Sequence, residues 1–269
     1  MATSIRKGAK SFKELSPEIL LQLNNGEIES ANLIEWLAID KTLLLKNILE
    51  QNERMLYFEV IVEKINNLKK KTVNTIDQTI GATLYAQACQ NNDFDLLENL
   101  KLHNSDAVRC WACYFIADNI TLNIHEVLKQ IQPFAADSHF GVREVSWLSV
   151  RNLIINNLTE SLQILTEWTI HPDPNLRRFA SEATRPRGVW CQHIEVLKQN
   201  PSLGLSILEN LKGDPSKYVQ NSVANWLNDA SKNNPQFVIN ICKEWHIKSP
   251  NKHLVYITKR ALRSIKKKI

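Results

Sequence analysis

The stretch VRCWACYFIAD (residues 108–118) reads as one helix with a single apolar face, because Val108, Trp111, Ala112, Phe115 and Ile116 fall at offsets 0, +3, +4, +7 and +8. Three later stretches align with it without gaps: VREVSWLSVRN (142–152), LRRFASEATRP (176–186) and VQNSVANWLND (219–229). Their starts are 34, 34 and 43 residues apart. The last keeps the same stripe with Val219, Ser222, Val223, Trp226 and Leu227. Each stretch is led by a turn: NSDA at 104, ADSHFG at 136, HPDPN at 171 and GDPSK at 213. A unit repeated at this interval cannot bury its apolar face alone and must stack on its neighbours.

A turn, then Val or Leu with a polar residue, then small and apolar residues at helical spacing resembles the second helix of a HEAT repeat. The intervening segments 124–134, 159–169, 202–211 and 235–245 supply partner helices, each with an apolar stripe for its neighbour. Upstream, Ser16 and Pro17 open a short helix, and 28–50, 54–71 and 73–89 read as helical. The basic tail 259–268 closes the last helix. The expected architecture is all-α, a right-handed α-α superhelix of HEAT-like repeats. It is expected to form a single domain over 1–269, with an N-terminal helical part over 1–104 and the clearest repeats over 105–269.

Composition agrees with helices. Only seven glycines and nine prolines occur in 269 residues, and 43% of residues are hydrophobic, enough for a sizeable core. The formal charge of +5 is unevenly spread: residues 1–105 carry 12 basic against 14 acidic side chains, and 106–269 carry 21 against 14. That asymmetry suits a chain that meets a polyanion. Five cysteines form no framework pattern, and the lone CxxC, Cys110 with Cys113, has no second ligand pair to complete a zinc site. No metal and no cofactor is expected. The first residues show no apolar signal core, and no run approaches the roughly 20 apolar residues of a membrane span. A cytoplasmic monomer without membrane contact is expected.

On the helical wheel the face opposite the core stripe carries Glu144, Trp147, Leu148 and Arg151 in the second repeat, then Arg178, Ser181, Glu182 and Arg185 in the third. An exposed Trp147 among charges is unusual for a merely solvated face. Just beyond come Arg187, held extended by Pro186, and Trp190, whose reading leans to a core role. Arg177 reads as the partner of an aspartate in the neighbouring turn. Arg143, Arg151, Arg178, Arg185 and Arg187, with Trp190, Lys217, Asn221 and Asn225, are the candidate DNA contacts. Asp229 reads as a cap or brace for a neighbouring helix.

The motifs SHFGVRE, RRFASEATRPRGVW and DPSKYVQNSVANWLND resemble the bacterial DNA alkylation-repair family of AlkC/AlkD type, over roughly residues 100–269. The N-terminal stretch resembles the AlkC branch more than AlkD. The resemblance implies a helical-repeat DNA glycosylase that holds duplex DNA and excises N-alkylated bases of the 3-methyladenine, 7-methylguanine and 3-methylcytosine class, without metal or diffusible cofactor. Such a base is already cationic and leaves readily. One carboxylate and an electron-rich indole then suffice to stabilise the positive charge developing on the sugar. In AlkC-like relatives an acidic residue precedes the Phe of the motif matched by HFGVR, and His139 stands there in this chain. The carboxylate is therefore assigned to Glu144, with Trp147 beside it, or to Glu182. Two other readings stay open, a relative that binds DNA without excising bases and a HEAT-type scaffold for an acidic protein.

Overall fold

The computed structural model describes residues 6–248 and 250–266, and every regular element among them is helical. The first helices are α1 (Pro17–Asn24), α2 (Leu33–Ala38), α3 (Lys41–Gln51), α4 (Phe58–Asn66), α5 (Val73–Asn91) and α6 (Asp95–Lys101). Then come α7 (Asp106–Ala117), α8 (Ile124–Ala135), α9 (Phe140–Ser149), α10 (Arg151–Asn156), α11 (Leu158–Trp168) and α12 (Pro174–Ala183). The last are α13 (Glu195–Gln199), α14 (Leu205–Leu211), α15 (Lys217–Ala230), α16 (Pro235–Lys248), α17 (Lys252–Ala261) and α18 (Arg263–Lys266). None among the described residues is long and apolar enough to cross a membrane.

The chain forms two compact units, one of residues 1–121 with 137–149, the other of 122–136 with 150–269. In the first, α5, α7 and α9 lie side by side, with α4 on α5 and α6 on α7. In the second, α12, α15 and α17 lie side by side, backed by α8, α11, α14 and α16. This is a helical-repeat fold. The aligned stretches pair within each unit, α7 with α9 and α12 with α15, and α5 and α17 lengthen the rows at positions the alignment did not reach. Trp111 and Trp226 sit in the core as their offsets require, and neither indole is left unpaired: Trp111 Nε1 donates to Asp77 Oδ1 (2.8 Å) and Trp226 Nε1 to Thr184 Oγ1 (3.3 Å).

One device recurs at the second position of every aligned stretch. Arg109 Nη1 donates to the carbonyls of His103 (2.7 Å) and Asn104 (2.9 Å), while its Nε reaches Asp137 Oδ2 (2.9 Å). Arg177 repeats this with His171 O (2.9 Å), Pro172 O (2.8 Å) and Asp214 Oδ2 (2.6 Å). Gln220 does so with Asp214 O (2.8 Å), Pro215 O (3.3 Å) and His253 Nδ1 (2.9 Å). Arg143 Nη1 closes its own turn on Asp137 O (2.6 Å) and Ser138 O (2.7 Å). Each side chain satisfies two turn carbonyls that have no helical partner, and Arg109, Arg177 and Gln220 also clip on to the next repeat. Arg177 thus pairs with a neighbouring aspartate, as its position suggested.

Several boundaries depart from expectation. The segment 28–50 is two helices, because Asn32 Oδ1 caps α2 through Ile34 N (3.0 Å) and Glu35 N (3.1 Å), and Asp40 Oδ1 caps α3 through Thr42 N and Leu43 N (both 3.0 Å). The segment 54–71 opens with a 3-10 turn, Met55–Tyr57, and its helix ends at Asn66. Helix α9 stops at Ser149, and Val150 separates it from α10. In the basic tail, α17 ends at Ala261 and α18 follows; residues 267 and 268 lie outside the described residues.

Candidate nucleic-acid interface

Helix α12 begins at Pro174 under an Asp173 cap (Asp173 Oδ1 to Asn175 N, 2.8 Å) and gives way after Ala183 to a loop, 184–194, paced by Pro186 and Gly188. Arg151 holds this loop. Its Nη1 donates to Ala183 O (2.5 Å), its Nη2 to Arg185 O (2.5 Å) and its Nε to Gln192 O (3.2 Å). Only 1% of Arg151 is exposed, so the residue expected among the DNA contacts is committed to backbone carbonyls. Gly188 is required, because a Cβ there would collide with Cys191 Sγ. The loop then presents Trp190, which is 86% exposed at φ 57°, a left-handed conformation that costs a non-glycine residue about 1 kcal/mol. The lean towards a core role for Trp190 is corrected: the loop turns the indole out to solvent.

Behind the loop, α12 and α15 enclose a charged cluster. Arg185 Nη1 donates to Glu182 Oε1 (2.7 Å), and its Nε (2.9 Å) and Nη2 (2.8 Å) both reach Asp229 Oδ2. Arg178 Nη2 lies 3.7 Å from Glu182 Oε2, and its guanidinium stacks over the Tyr218 ring at 4.5 Å. Ser222 Oγ donates to Glu182 Oε2 (2.6 Å) and receives a bond from Ser181 Oγ (2.8 Å). Burial pushes the Glu182 carboxyl up, but the charges of Arg178 and Arg185 and the hydrogen bonds of Ser222 and Arg185 outweigh it and hold the group below the usual carboxylate range. Glu182 is therefore an anion at neutral pH, buried and paired. Asp229 braces Arg185 rather than capping a helix.

Sequence reasoning passed over Ser222, although a trace of it was visible. Offset +3 is Trp111, Val145 and Phe179 in the other repeats, and a serine on that apolar stripe marks a buried polar partner. Arg187 lies on the loop with Nη2 bonded to Asn233 Oδ1 (2.7 Å). Lys217 is exposed at the start of α15, and Asn221 and Asn225 follow one and two turns along, accepting bonds from Tyr256 Oη (2.7 Å) and Arg263 Nη2 (3.0 Å).

In the other unit, Trp147 Nε1 donates to Glu144 Oε2 (2.9 Å), and Trp147 is 4% exposed, so the exposed tryptophan expected there is a buried one whose polar edge holds a half-buried carboxylate. The expected stripe Glu144, Trp147, Arg151 keeps its first two members; the helix break at Val150 sends Arg151 to the carbonyls above. His139 is buried. Its Nε2 lies 2.7 Å from Ser30 O, and its Nδ1 accepts from Gly141 N (3.1 Å) and lies 3.4 Å from Asp106 Oδ2. The ring latches the turn before α9 to the Ser30 loop, and no carboxylate stands at that position.

Helix rows that enclose an ionised, arginine-flanked carboxylate, followed by a loop with an exposed indole, define a helical-repeat protein. Residues 142–255 match the family described as DNA alkylation repair enzyme. A curated relative, "Uncharacterized protein YhaZ" of Bacillus subtilis, is 37% identical over 145 residues; the match takes in 53% of this chain and 38% of the relative, so the chain spans well under half of that relative's length. Among solved structures, the Pseudomonas fluorescens alkylpurine DNA glycosylase AlkC, bound to DNA containing an abasic site analog, superposes with TM-score 0.65 at 21% identity, covering 97% of this chain and 66% of that one. AlkD2 from Streptococcus mutans superposes with TM-score 0.56 at 21% identity, covering 77% and 98%. At that identity the two share the fold.

Proposed function

We propose that this chain binds duplex DNA as a single cytoplasmic molecule and excises cationic N-alkylated bases of the 3-methyladenine, 7-methylguanine and 3-methylcytosine class. The observation that carries the reading is that the family segment, 142–255, contains both glutamates and the exposed Trp190. Glu144 is the charge-stabilising carboxylate: it is half-buried rather than sealed, and Trp147 orients it. Its charge opposes the cation growing on the sugar as the base departs. Glu182 is second, because its charge is already shared between Arg178 and Arg185. Trp190 offers a π-face to a base or sugar, and Arg187 and Lys217 offer charge to phosphates. The DNA-bound state of the Pseudomonas neighbour and the AlkC-like motifs support this reading. The test is release of free bases from methylated duplex DNA; no release of any of the three bases removes the excision step.

His139 favours a second reading. A buried histidine fixed by Ser30 and Gly141 stands where AlkC-like relatives carry an acid, which suits a relative that binds DNA without excising bases. Under that reading the same assay shows salt-dependent binding and no free base. Binding to an acidic protein in preference to DNA is the outcome that favours a scaffold.

A further inference from the structure

The row α12, α15, α17 runs past the family segment, which ends at residue 255. Beyond it, Tyr256, Arg260 and Arg263 recur at helical spacing on the exposed side of the last turns. They interlock with α15. Tyr256 Oη donates to Asn221 Oδ1 (2.7 Å), Arg263 Nη2 to Asn225 Oδ1 (3.0 Å), and Lys217 Nζ lies over the Tyr256 ring, with Arg260 5.5 Å from the same ring centre. Lys217 adjoins Tyr218, on which Arg178 stacks, so the seam is continuous with the charged cluster.

The chemistry of these cations differs from that of the arginines that brace the repeats through ion pairs. Arg109, Arg177 and Arg185 are each neutralised by a carboxylate. Among the described residues Lys217, Arg260 and Arg263 have no carboxylate within ion-pair distance; their partners are a phenol ring, the Asn225 amide carbonyl and the Arg260 carbonyl (2.9 Å from Arg263 Nη1). Burial and the like charges of Arg260 and Arg185 push the Arg263 guanidinium below its usual range, against the opposing charge of Asp229. Neutral groups hold these three cations in place without an ion-pair partner among the described residues, which is how a rigid, repeating polyanion is met.

We propose that Lys217, Arg260 and Arg263, spaced by Tyr256, form a phosphate-backbone subsite for duplex DNA that lies beyond the family segment. Asn221 and Asn225 act in it as positioning residues, holding Tyr256 and Arg263. The proposal rests on the DNA-binding reading above and adds a place on the fold to it.

The test is a titration of a fluorescent duplex at several salt concentrations with the full chain, its Arg260→Gln/Arg263→Gln variant, and a Lys129→Gln/Lys243→Gln control on α8 and α16 that removes equal charge from the backing helices. Each phosphate contact contributes about 0.9 to the slope of log affinity against log salt, so the ridge variant is expected to lose about 2 in slope and roughly tenfold in affinity near physiological salt. The control keeps its slope. An unchanged slope in the ridge variant, or an equal loss in the control, overturns the subsite while leaving DNA binding intact; a wild-type chain with no salt-dependent binding overturns both. A second measurement needs no variant. Duplex DNA should shield Arg260 and Arg263 from phenylglyoxal, read by mass spectrometry, and equal modification with and without DNA counts against the subsite.

Discussion

Ser222 Oγ donates a 2.6 Å hydrogen bond to Glu182 Oε2, so a hydroxyl on α15 completes the coordination of a carboxylate on α12. With Arg178 and Arg185 on the other side, this bond keeps the anion ionised away from water. Breaking a buried ion cluster by removing one member leaves charge unpaired. Glu182→Gln is therefore expected to destabilise the chain by about 3 kcal/mol. That corresponds to a fall in Tm of roughly 10 °C for a chain of this size. A melting curve that overlays the wild type would mean that Arg178 and Arg185 do not depend on it.

The same carboxylate sets a pH dependence. Its folded pKa lies below the unfolded value, so its contribution is complete above the usual carboxylate range and is lost as pH falls through the depressed folded value. The stability gap between wild type and Glu182→Gln should be constant from neutrality down to about pH 5 and close below that. Urea denaturation at stepped pH reads this; a gap that widens in acid has the wrong sign.

Glu144→Gln separates chemistry from folding. The side chain is half-buried and the amide keeps an acceptor for Trp147 Nε1, so stability should hold within about 1 kcal/mol. If Glu144 stabilises the developing cation, excision of methylated bases slows roughly a hundredfold with DNA affinity nearly intact. Full activity here, with loss in Glu182→Gln beyond its effect on folding, transfers the role to Glu182.

Arg151 gives a sharper structural test. It bridges the carbonyls of Ala183, Arg185 and Gln192, and lysine cannot reproduce three fixed donors. Arg151→Lys should cost about 2 kcal/mol and open the loop, so that trypsin cuts after Arg187 well before the rest of the chain. Arg185 is protected from cleavage by Pro186 in either case. Resistance equal to wild type would show that the loop stands without its brace.

Trp190 should behave in the opposite way. Glycine at this position relieves a left-handed residue, so Trp190→Gly should leave Tm unchanged or slightly raised. Loss of one stacking contact would weaken duplex binding by roughly tenfold. A fall in Tm of several degrees would mean that the indole packs against the protein.

The sequence by itself determined the helical repeats, the core stripe with Trp111 and Trp226, and the Arg177 brace. All follow from periodicity and local turn chemistry, which act over a few residues and are written in linear spacing. Tertiary structure decided what the polar face does. Arg151 and Arg178 share that face on the wheel, yet one is spent on three carbonyls 32 to 41 residues away and the other joins Glu182 and Tyr218. Trp147 and Trp190 exchanged their expected environments, because a loop conformation set by Pro186, Gly188 and Arg151 turns Trp190 outward, while the buried packing of α9 encloses Trp147. Side chains of like chemistry at like spacing differ only in which distant carbonyl, hydroxyl or carboxylate comes within hydrogen-bonding reach, and only the packed helices settle that.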